Sequence, residues 1–403
     1  MGKGSIVCIF FCIQLIITTG CWDRKELNDR SIWLATGWDV GEKEDEIQIC
    51  GQIAIPANMQ SQTGGGSGGG SKSESYVTVS EKGKSVQDAL ETQQNKLSRE
   101  AYFGQRRVVL YGEKFAKHGL KEEIDINSRS SDVSIRTDVF VAKGDTALQA
   151  LNLSNPFESP PAVAALKVHE QAGGRGDVAY LDFIIAANSD GIRPTIPAID
   201  IDYFQHGNKD AKGEAAKPIL KLAGLAVFDP DLKLAGFLNM DENWDFLWVT
   251  NRLNKKKISV SQNGKGNASL ALTKIHGEII PKMRNGQITF TVELSGEGGI
   301  TENNNNLDID KRDNIKLLKH AMEKQTKEEV LATITKVQKE FGLDIFGFGE
   351  AVHKRYPQQW KKVKKDWDTY FAEANISVEV DLKIRRIGMT GPSLLYKESE
   401  IKE

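Results

Sequence analysis

The chain has 403 residues, with 53 Lys and Arg against 55 Asp and Glu, and 39% of its residues are hydrophobic. This near balance of charge argues against a nucleic-acid-binding protein, which needs a basic excess to neutralise phosphates. A charged fraction of 27% with 8% aromatic residues argues against wholesale disorder. No stretch after residue 17 approaches the roughly 18 uninterrupted apolar residues of a membrane-spanning helix. At about 150 residues per domain, two or three domains are expected.

Residues 1–20 are predicted to be a signal peptide. Lys3 supplies the positive charge, and Ile6–Ile17 is an apolar stretch too short to cross a bilayer as a permanent helix. The small residues at 18–20 directly precede Cys21, an order similar to a bacterial lipobox, in which the Cys thiol is lipidated and the preceding peptide bond is cut. Ordinary secretory cleavage, or an uncleaved anchor with an incidental Cys, are the alternatives.

The four cysteines fit this interpretation. Cys8 and Cys12 would leave with the signal peptide and Cys21 would carry lipid, so Cys50 would have no partner for an internal disulfide. Each buried methylene of an acyl chain such as palmitate contributes about 0.8 kcal/mol, and two chains are needed for stable anchoring. A diacylated Cys21 is therefore expected to hold the exported protein on the outer surface of the membrane.

The remaining chain is predicted to have an α+β fold, with mixed sheets and packed helices in two to three domains. Residues 21–60 and 176–207 would form a discontinuous N-terminal domain, with a middle α/β domain at 61–175 inserted between them. The middle domain would start with a flexible loop at 61–75, because its GGGSGGGS tract has no side chains to bury. Residues 216–390 would form the C-terminal domain.

Local patterns predict the secondary structure in chain order. Strands are predicted at 46–53, 76–79, 107–111, 137–141, 177–187, 221–228, 269–276, 287–294 and 376–384. Helices are predicted at 85–97, 113–125, 145–153 and 313–341, followed by a helix with Trp360, Val363, Trp367, Tyr370 and Phe371 on one side. Asp145 is the expected N-cap of the third helix. Residues 323–329 include no apolar residue and are expected to face solvent.

The sequence contains no recognisable catalytic or metal-binding motif. The six His residues are scattered without an HExxH pattern, so no metal, cofactor or catalytic residue is predicted. Gly83-Lys84-Ser85 resembles the end of a P-loop, but Thr78 replaces its first glycine. Acid pairs such as Glu122-Glu123 have no informative spacing. The glycines of Gly347-Phe348-Gly349 are expected to allow a tight turn, with Phe346 and Phe348 packed beneath it.

A group of basic residues near the C-terminus is interleaved with Trp360 and Trp367. Its members are Lys354, Arg355, Lys361, Lys362, Lys364 and Lys365. A solvated helix face is the preferred interpretation, a nucleic-acid stripe is a weaker one, and attraction to anionic lipid head groups is a third.

Several segments together resemble the Ger(x)C family, the C subunits of spore nutrient germinant receptors. The matching segments are Gly20–Asn28, Phe103–Glu113, Val139–Gly144, Gly224–Phe228, Gly236–Asn239, Asp344–Glu350, Tyr356-Pro357, Trp360, Trp367 and Ile384–Gly388. The resemblance implies a non-enzymatic lipoprotein of three domains on the spore inner membrane. It also implies two multispanning partners, an A subunit and a permease-like B subunit. Among functional residues, it assigns only the lipid attachment at Cys21, and it leaves any nutrient ligand open.

Two other functions remain as alternatives. A solute-binding lipoprotein that delivers a small molecule to a permease would usually have two similar α/β lobes around a cleft, and the sequence shows no duplication. A cell-wall hydrolase would need a carboxylate or nucleophile site that no motif reveals.

Overall fold

The structure is a computed structural model that describes residues 26, 29–43, 46–55, 75–130, 132–153, 160–171, 180–203, 218–261, 266–284, 287–386, 393 and 395–401. It has two mixed sheets with packed helices, which confirms the predicted α+β class. The predicted signal peptide, Cys21 and residues 61–74 of the predicted loop lie outside the described residues.

Nine strands of the described chain form the larger sheet, in the order β3-β2-β1-β5-β6-β7-β8-β9 with β4 beside β1. Their bounds are β1 Arg30–Val40, β2 Ile47–Ala54, β3 Tyr76–Gly83, β4 Glu100–Tyr102, β5 Val108–Gly112, β6 Asp138–Ala142, β7 Thr195–Tyr203, β8 Pro218–Phe228 and β9 Leu234–Leu238. The central strands β1, β5, β6 and β7 are parallel, and antiparallel strands flank them on both sides.

Helices cover both faces of this sheet, as the burial of β5 requires. Val109 and Tyr111 face one core, and Val108 and Leu110 face the other, because side chains alternate along a strand. The first core includes residues of α1 Val86–Gln94, α2 Glu113–His118, α3 Lys121–Arg129 and α6 Tyr180–Ala187. The second includes residues of α4 Ala147–Leu151 and α5 Pro161–Gln171.

The larger sheet joins segments that were predicted to belong to different domains. Strands β3 to β6 come from the predicted middle domain at 61–175, yet they are hydrogen-bonded in one sheet with β1, β2 and β7. Strands β8 and β9, from the predicted C-terminal domain at 216–390, complete the same sheet. The boundaries of the predicted domains therefore do not coincide with the boundaries of the sheets. The division of the chain into domains stays a prediction.

The smaller sheet is built from β10 Lys256–Ser261, β11 Asn267–Arg284, β12 Gln287–Asn303 and β13 Asn375–Arg386, in that order. Its helices are α7 Met240–Val249, α8 Arg312–Lys336, α9 Phe348–Arg355, α10 Pro357–Val363 and α11 Trp367–Glu373. The alternation predicted for 376–384 is confirmed, because Val378 and Leu382 are fully buried while the intervening polar residues are exposed. In the part of the chain that is described, no helix is long and apolar enough to span a membrane.

Three local predictions were wrong. Residues 180–187 form a helix rather than a strand, because the apolar run packs Tyr180 and Phe183 one turn apart into the core. The helix predicted at 113–125 is two helices, interrupted at Gly119, whose φ of 123° is outside the helical region. Thr146, and not Asp145, is the N-cap of α4, since it forms a reciprocal capping box with Gln149.

Two helix predictions need smaller corrections. Thr326 is fully buried within the segment 323–329 that was expected to face solvent. The last predicted helix is divided into α10 and α11 by a 3₁₀ turn at Lys364–Asp366, and Tyr370 is exposed. Trp360, Trp367 and Phe371 are buried as expected.

Candidate functional site

The loop that follows α8 is organised around the fully buried carboxyl group of Asp344. Its Oδ1 accepts hydrogen bonds from the backbone N–H groups of Phe346 and Gly347, at 3.1 and 2.9 Å. Its Oδ2 accepts from the N–H of Gly349 at 2.8 Å and from Nε1 of Trp367 at 3.0 Å. One side chain therefore fixes the backbone of the loop and the position of an aromatic residue on α11.

Burial raises the pKa of Asp344 to about 6, although hydrogen bonds from the loop N–H groups and Trp367 act to lower it. Gly347 has a left-handed backbone with φ of 88°, and Phe346 and Phe348 are buried. This agrees with the tight turn over two aromatic residues that the sequence predicts. The loop is thus a rigid structural element with an internal carboxyl group.

This loop also contacts the segment that leads from α6 into β7 of the larger sheet. A Cβ atom on Gly349 would lie 2.7 Å from Cα of Gly191, so the two backbones can approach this closely only with glycine at both positions. The N–H of Arg193 donates to the carbonyl of Asp344 at 2.7 Å, and its guanidinium donates to Asp368 at 2.8 Å. The Asp344 loop therefore forms the junction between the two sheets.

The basic residues near this junction are exposed, whereas the two tryptophans interleaved with them are buried. Lys364 forms an exposed ion pair with Asp190 at 3.0 Å. Because the aromatic rings are used in the core, they are not available to stack on nucleic-acid bases. The exposure of the basic residues agrees with the predicted solvated helix face, and it agrees equally with attraction to anionic lipid head groups.

A second buried carboxyl group, Glu123 on α3, lies beneath the larger sheet. It is fully buried, and its Oε2 accepts hydrogen bonds from the hydroxyl groups of Tyr111 at 2.8 Å and Tyr180 at 3.3 Å. Asn127, one turn along the same helix, donates to its Oε1. Asn127 also accepts from the guanidinium of Arg106 at 3.2 Å. The cluster thus links α3, α6, β5 and the residues just before β5.

The charges of this cluster perturb one another in a predictable direction. Burial raises the pKa of Glu123 to about 7, and the charge of Arg106 and the hydroxyl hydrogen bonds act against this rise. Burial likewise lowers the pKa of Arg106 and raises the pKa of Tyr111. Near neutral pH, Glu123 is therefore divided between its neutral and charged forms.

A cavity of about 330 Å³ adjoins this cluster. Arg106 and Asn127 line it together with Thr36 and Trp38 of β1, and apolar side chains from α1, α3 and neighbouring loops complete its walls. Its size is at the lower end of the range for small-molecule sites in proteins, about 300 to 1,000 Å³.

Comparison with known proteins covers both halves of the chain. Residues 23–201 match the family described as spore germination protein N-terminal domain, and residues 223–388 match the family described as spore germination B3/GerAC like, C-terminal. The chain belongs to the Ger(x)C family of spore germination proteins. The N-terminal match includes the Glu123 cluster, and the C-terminal match includes the Asp344 loop.

Individual relatives in Bacillus subtilis (strain 168) align along nearly their whole length with this Ger(x)C chain. Spore germination protein KC is 29% identical, with 96% of this chain and 97% of the relative covered. Spore germination protein A3 is 26% identical, with coverage of 96% and 99%. The crystal structure of the GerBC protein has 19% identity and a TM-score of 0.53, and the alignment covers 90% of this chain and 100% of that one. This last similarity shows the shared fold.

The site residue predicted from sequence, Cys21, lies outside the described residues, and its lipidation stays a prediction. In the described part of the chain, no three His, Cys, Asp or Glu side chains are grouped to hold a metal ion. The pair Glu122-Glu123 was considered uninformative, yet Glu122 is exposed and Glu123 is buried. The sequence carries no signal for this difference, because adjacent helix residues point about 100° apart and only the packing of α3 decides which of the two glutamates is buried.

Proposed function

We propose that this chain is the lipid-anchored C subunit of a spore nutrient germinant receptor. It would be held at Cys21 on the outer surface of the spore inner membrane and would act, without catalysis, by contact with the A and B membrane subunits to trigger germination. The observation that carries this proposal is the match of both halves of the chain to spore germination proteins over nearly their full length.

The geometry of the two buried carboxyl groups supports contact rather than catalysis. A raised pKa often marks a catalytic acid or base, but such a group must reach a substrate. Asp344 is fully buried, and both of its oxygens accept hydrogen bonds from the surrounding loop and Trp367. Glu123 is also fully buried and is held by two tyrosines and Asn127. Both groups therefore have a structural explanation.

The short distance along the chain between Cys21 and the larger sheet supports an anchored body. Strand β1 begins at Arg30, nine positions after Cys21 by their numbers (30 minus 21). At about 3.3 to 3.6 Å per residue, this segment reaches at most about 30 Å. A lipid on Cys21 would thus keep the folded body close enough to the bilayer to contact membrane-embedded subunits.

The alternative of solute delivery to a permease receives less support from the fold. Two-lobed solute carriers would present two similar α/β units, whereas the two sheets here have different strand numbers and orders within the described residues. The Gly191 and Gly349 backbones are also in direct contact at the junction, where a ligand cleft between lobes would be expected.

The anchor can be tested with a matched pair of cysteine variants. Cys21→Ala is expected to release the protein from the spore membrane fraction and to reduce nutrient germination, because no acyl chain can be attached. Cys50→Ala removes a thiol buried in the larger sheet. This variant should keep both membrane association and nutrient germination. Immunoblots of membrane and soluble fractions, together with germination assays, measure the two effects. A Cys21→Ala protein that stays membrane-bound and fully active would contradict the anchor.

The proposed partners can be tested by affinity capture from detergent-solubilised spores. A tag at the C-terminus should recover two polytopic membrane proteins, the A and B subunits, with the wild-type chain. Recovery of neither would contradict action through these partners.

A further inference from the structure

Exposed basic residues beside the junction of the two sheets form one charged surface. Its members, together called the basic surface, are Lys354, Arg355, Lys361, Lys362 and Lys365. Within the described residues, none of the five forms an ion pair with an acidic side chain. Residues 350–366 contain six basic and two acidic residues, whereas the whole chain has a net charge of -2. The basic surface is therefore a local excess of positive charge on a nearly neutral protein.

An exposed apolar patch lies close to the basic surface. It consists of Ile135, Leu181 and Ile185, which are 51%, 38% and 55% exposed. The N–H of Leu181 donates to the carbonyl of Ile135 at 3.0 Å, and Ile185 lies one turn further along α6 on the side of Leu181. Three residues after α6, Asp190 pairs with Lys364 at 3.0 Å. Exposed apolar groups beside basic ones are the combination by which peripheral proteins bind lipid surfaces.

Both features lie at the edge of the larger sheet where the strand nearest to Cys21 begins. Strands β1, β5, β6 and β7 are parallel neighbours, so their N-terminal ends share one edge. Ile135 precedes β6, α6 and Asp190 precede β7, and the segment from Cys21 precedes β1. Three strand spacings of about 4.8 Å place β7 about 14 Å from β1. Since the segment from Cys21 reaches at most about 30 Å, a lipid there would bring this edge to the bilayer.

We propose that the basic surface and the apolar patch dock together on anionic lipid head groups of the membrane to which the chain is anchored. This inference rests on the proposed anchor, because Cys21 brings the edge within reach of the bilayer. Each basic residue near an anionic surface strengthens attachment about fivefold. The apolar side chains enter the boundary between head groups and acyl chains. A lipid at one point leaves the body free to rotate, and this contact fixes its orientation.

The position of the surface favours the membrane over an acidic protein as the occupant. A lipid on Cys21 brings this edge to the head groups whether or not other subunits are present. Docking is therefore a property of the full chain in a bilayer without partners, whereas an acidic protein partner would have to be added before the surface is covered.

The test is lysine footprinting of the full chain, purified from spores in detergent and inserted into vesicles. One set of vesicles contains phosphatidylcholine alone, and the other contains phosphatidylcholine and phosphatidylglycerol in equal parts. Acetylation of Lys361, Lys362 and Lys365, measured by mass spectrometry, should be at least fivefold slower in the anionic vesicles and should recover in about 1 M salt. Lys311 and Lys316 should react equally in both, since the start of α8 lies about 36 Å from its other end.

A matched pair of double variants shows which residues make the contact. Lys361→Gln with Lys365→Gln removes two charges from the basic surface, which should weaken docking about 25-fold and abolish most of the protection of Lys354. Lys311→Gln with Lys316→Gln removes the same number of charges from exposed positions at the start of α8. This second variant should keep Lys354 protected as in the wild type.

The apolar patch is tested by a second matched pair that leaves every charge in place. Ile185→Gln should raise the acetylation rate of Lys361 in anionic vesicles about threefold, because less apolar surface enters the bilayer. Leu317→Gln makes a similar change at an exposed position of α8. This control should leave the rate unchanged.

Flotation of the vesicles separates failure of the anchor from failure of the docking surface. Equal acetylation of Lys361, Lys362 and Lys365 in both kinds of vesicle would overturn the inference, although the chain floats, and would leave the surface to a protein partner. A chain that fails to float with phosphatidylcholine contradicts the anchor at Cys21, and protection in the anionic vesicles would still support docking. A chain that floats with neither kind of vesicle contradicts both.

Discussion

The two buried carboxyl groups of this protein are both fully buried and both have a raised pKa, yet their hydrogen-bond partners differ in kind. Asp344 accepts from three backbone N–H groups of its own loop and from one indole, and the largest influences on its pKa are burial and hydrogen bonds of this kind. Glu123 accepts from side chains on other elements and lies near the guanidinium of Arg106.

This difference shows two ways in which a fold accommodates an internal acid. Backbone donors fix the path of the chain, so Asp344 determines the shape of the loop at the junction of the two sheets. Side-chain donors come from separate elements, so the Glu123 cluster joins α3, α6 and β5. The first arrangement fixes a backbone turn, and the second holds α3 and α6 against β5.

The largest expected effect is that of Asp344→Asn. The amide NH₂ of Asn would replace one of the two carboxylate oxygens. If it replaces Oδ2, it faces the N–H of Gly349 and Nε1 of Trp367; if it replaces Oδ1, it faces the N–H groups of Phe346 and Gly347. Either way, two buried donors lose their acceptor. The free energy of unfolding should fall by about 3 to 4 kcal/mol, measured by urea denaturation of the full chain in detergent. Asp366→Asn, at an exposed position nearby, is the control. A loss below about 1 kcal/mol would show that the loop does not depend on this carboxyl group.

A smaller effect is expected when the glycine contact at the junction is disturbed. In Gly191→Ala, the new Cβ would lie 2.8 Å from the backbone N of Glu350 and 2.9 Å from the backbone C of Gly349. Overpacking of this kind should reduce the free energy of unfolding by about 1 to 3 kcal/mol. Asp190→Ala removes only the exposed ion pair with Lys364 and should stay within about 0.5 kcal/mol of wild type. Equal stability of the two variants would refute a tight junction.

The smallest effect concerns pH and separates the two acids directly. The pKa of Glu123 is raised to about 7 in the folded state, so the unfolded chain loses this proton at lower pH than the folded chain. Glu123 therefore adds to the free energy of unfolding. This contribution is fully present below about pH 4.5 and is lost as the pH rises to about 7. For Asp344, with a pKa of about 6, most of the corresponding contribution to the free energy of unfolding is already lost at pH 6.

Between pH 6 and 7, the fall in unfolding free energy should therefore come mainly from Glu123, at about 1 kcal/mol. Glu123→Gln should remove most of this fall and leave, below pH 6, only the part of the fall that comes from Asp344, whereas Glu122→Gln should keep the wild-type profile throughout. Denaturation midpoints of the full chain, measured at several pH values, test this. An unchanged slope in Glu123→Gln would assign the titration to another group.

The secondary structure of segments with a clear hydrophobic periodicity was predictable from the sequence, and that of a continuous apolar run was not. The strict alternation of 376–384 identified β13 because one face of that strand is buried. The run at 177–187 predicts a strand wrongly, because apolar residues without alternation fit a buried strand as well as a helix. The turn at Gly347 was predictable from its glycines, but the role of Asp344 was not. Asp344 accepts hydrogen bonds from backbone N–H groups, which almost every residue type has, so no pattern of residue types in the sequence reveals this role.

The sequence by itself determined the Ger(x)C family and the α+β class, because motifs and periodicity are local properties that lie in short segments of the chain. It also supplied the prediction of lipidation at Cys21. Only the tertiary structure decided that Glu123 is buried while Glu122 is exposed, that Gly191 touches Gly349, and that the strands of three predicted domains share one sheet. Burial and contact depend on which distant segments pack together, and neighbouring residues of the same type can therefore have opposite environments.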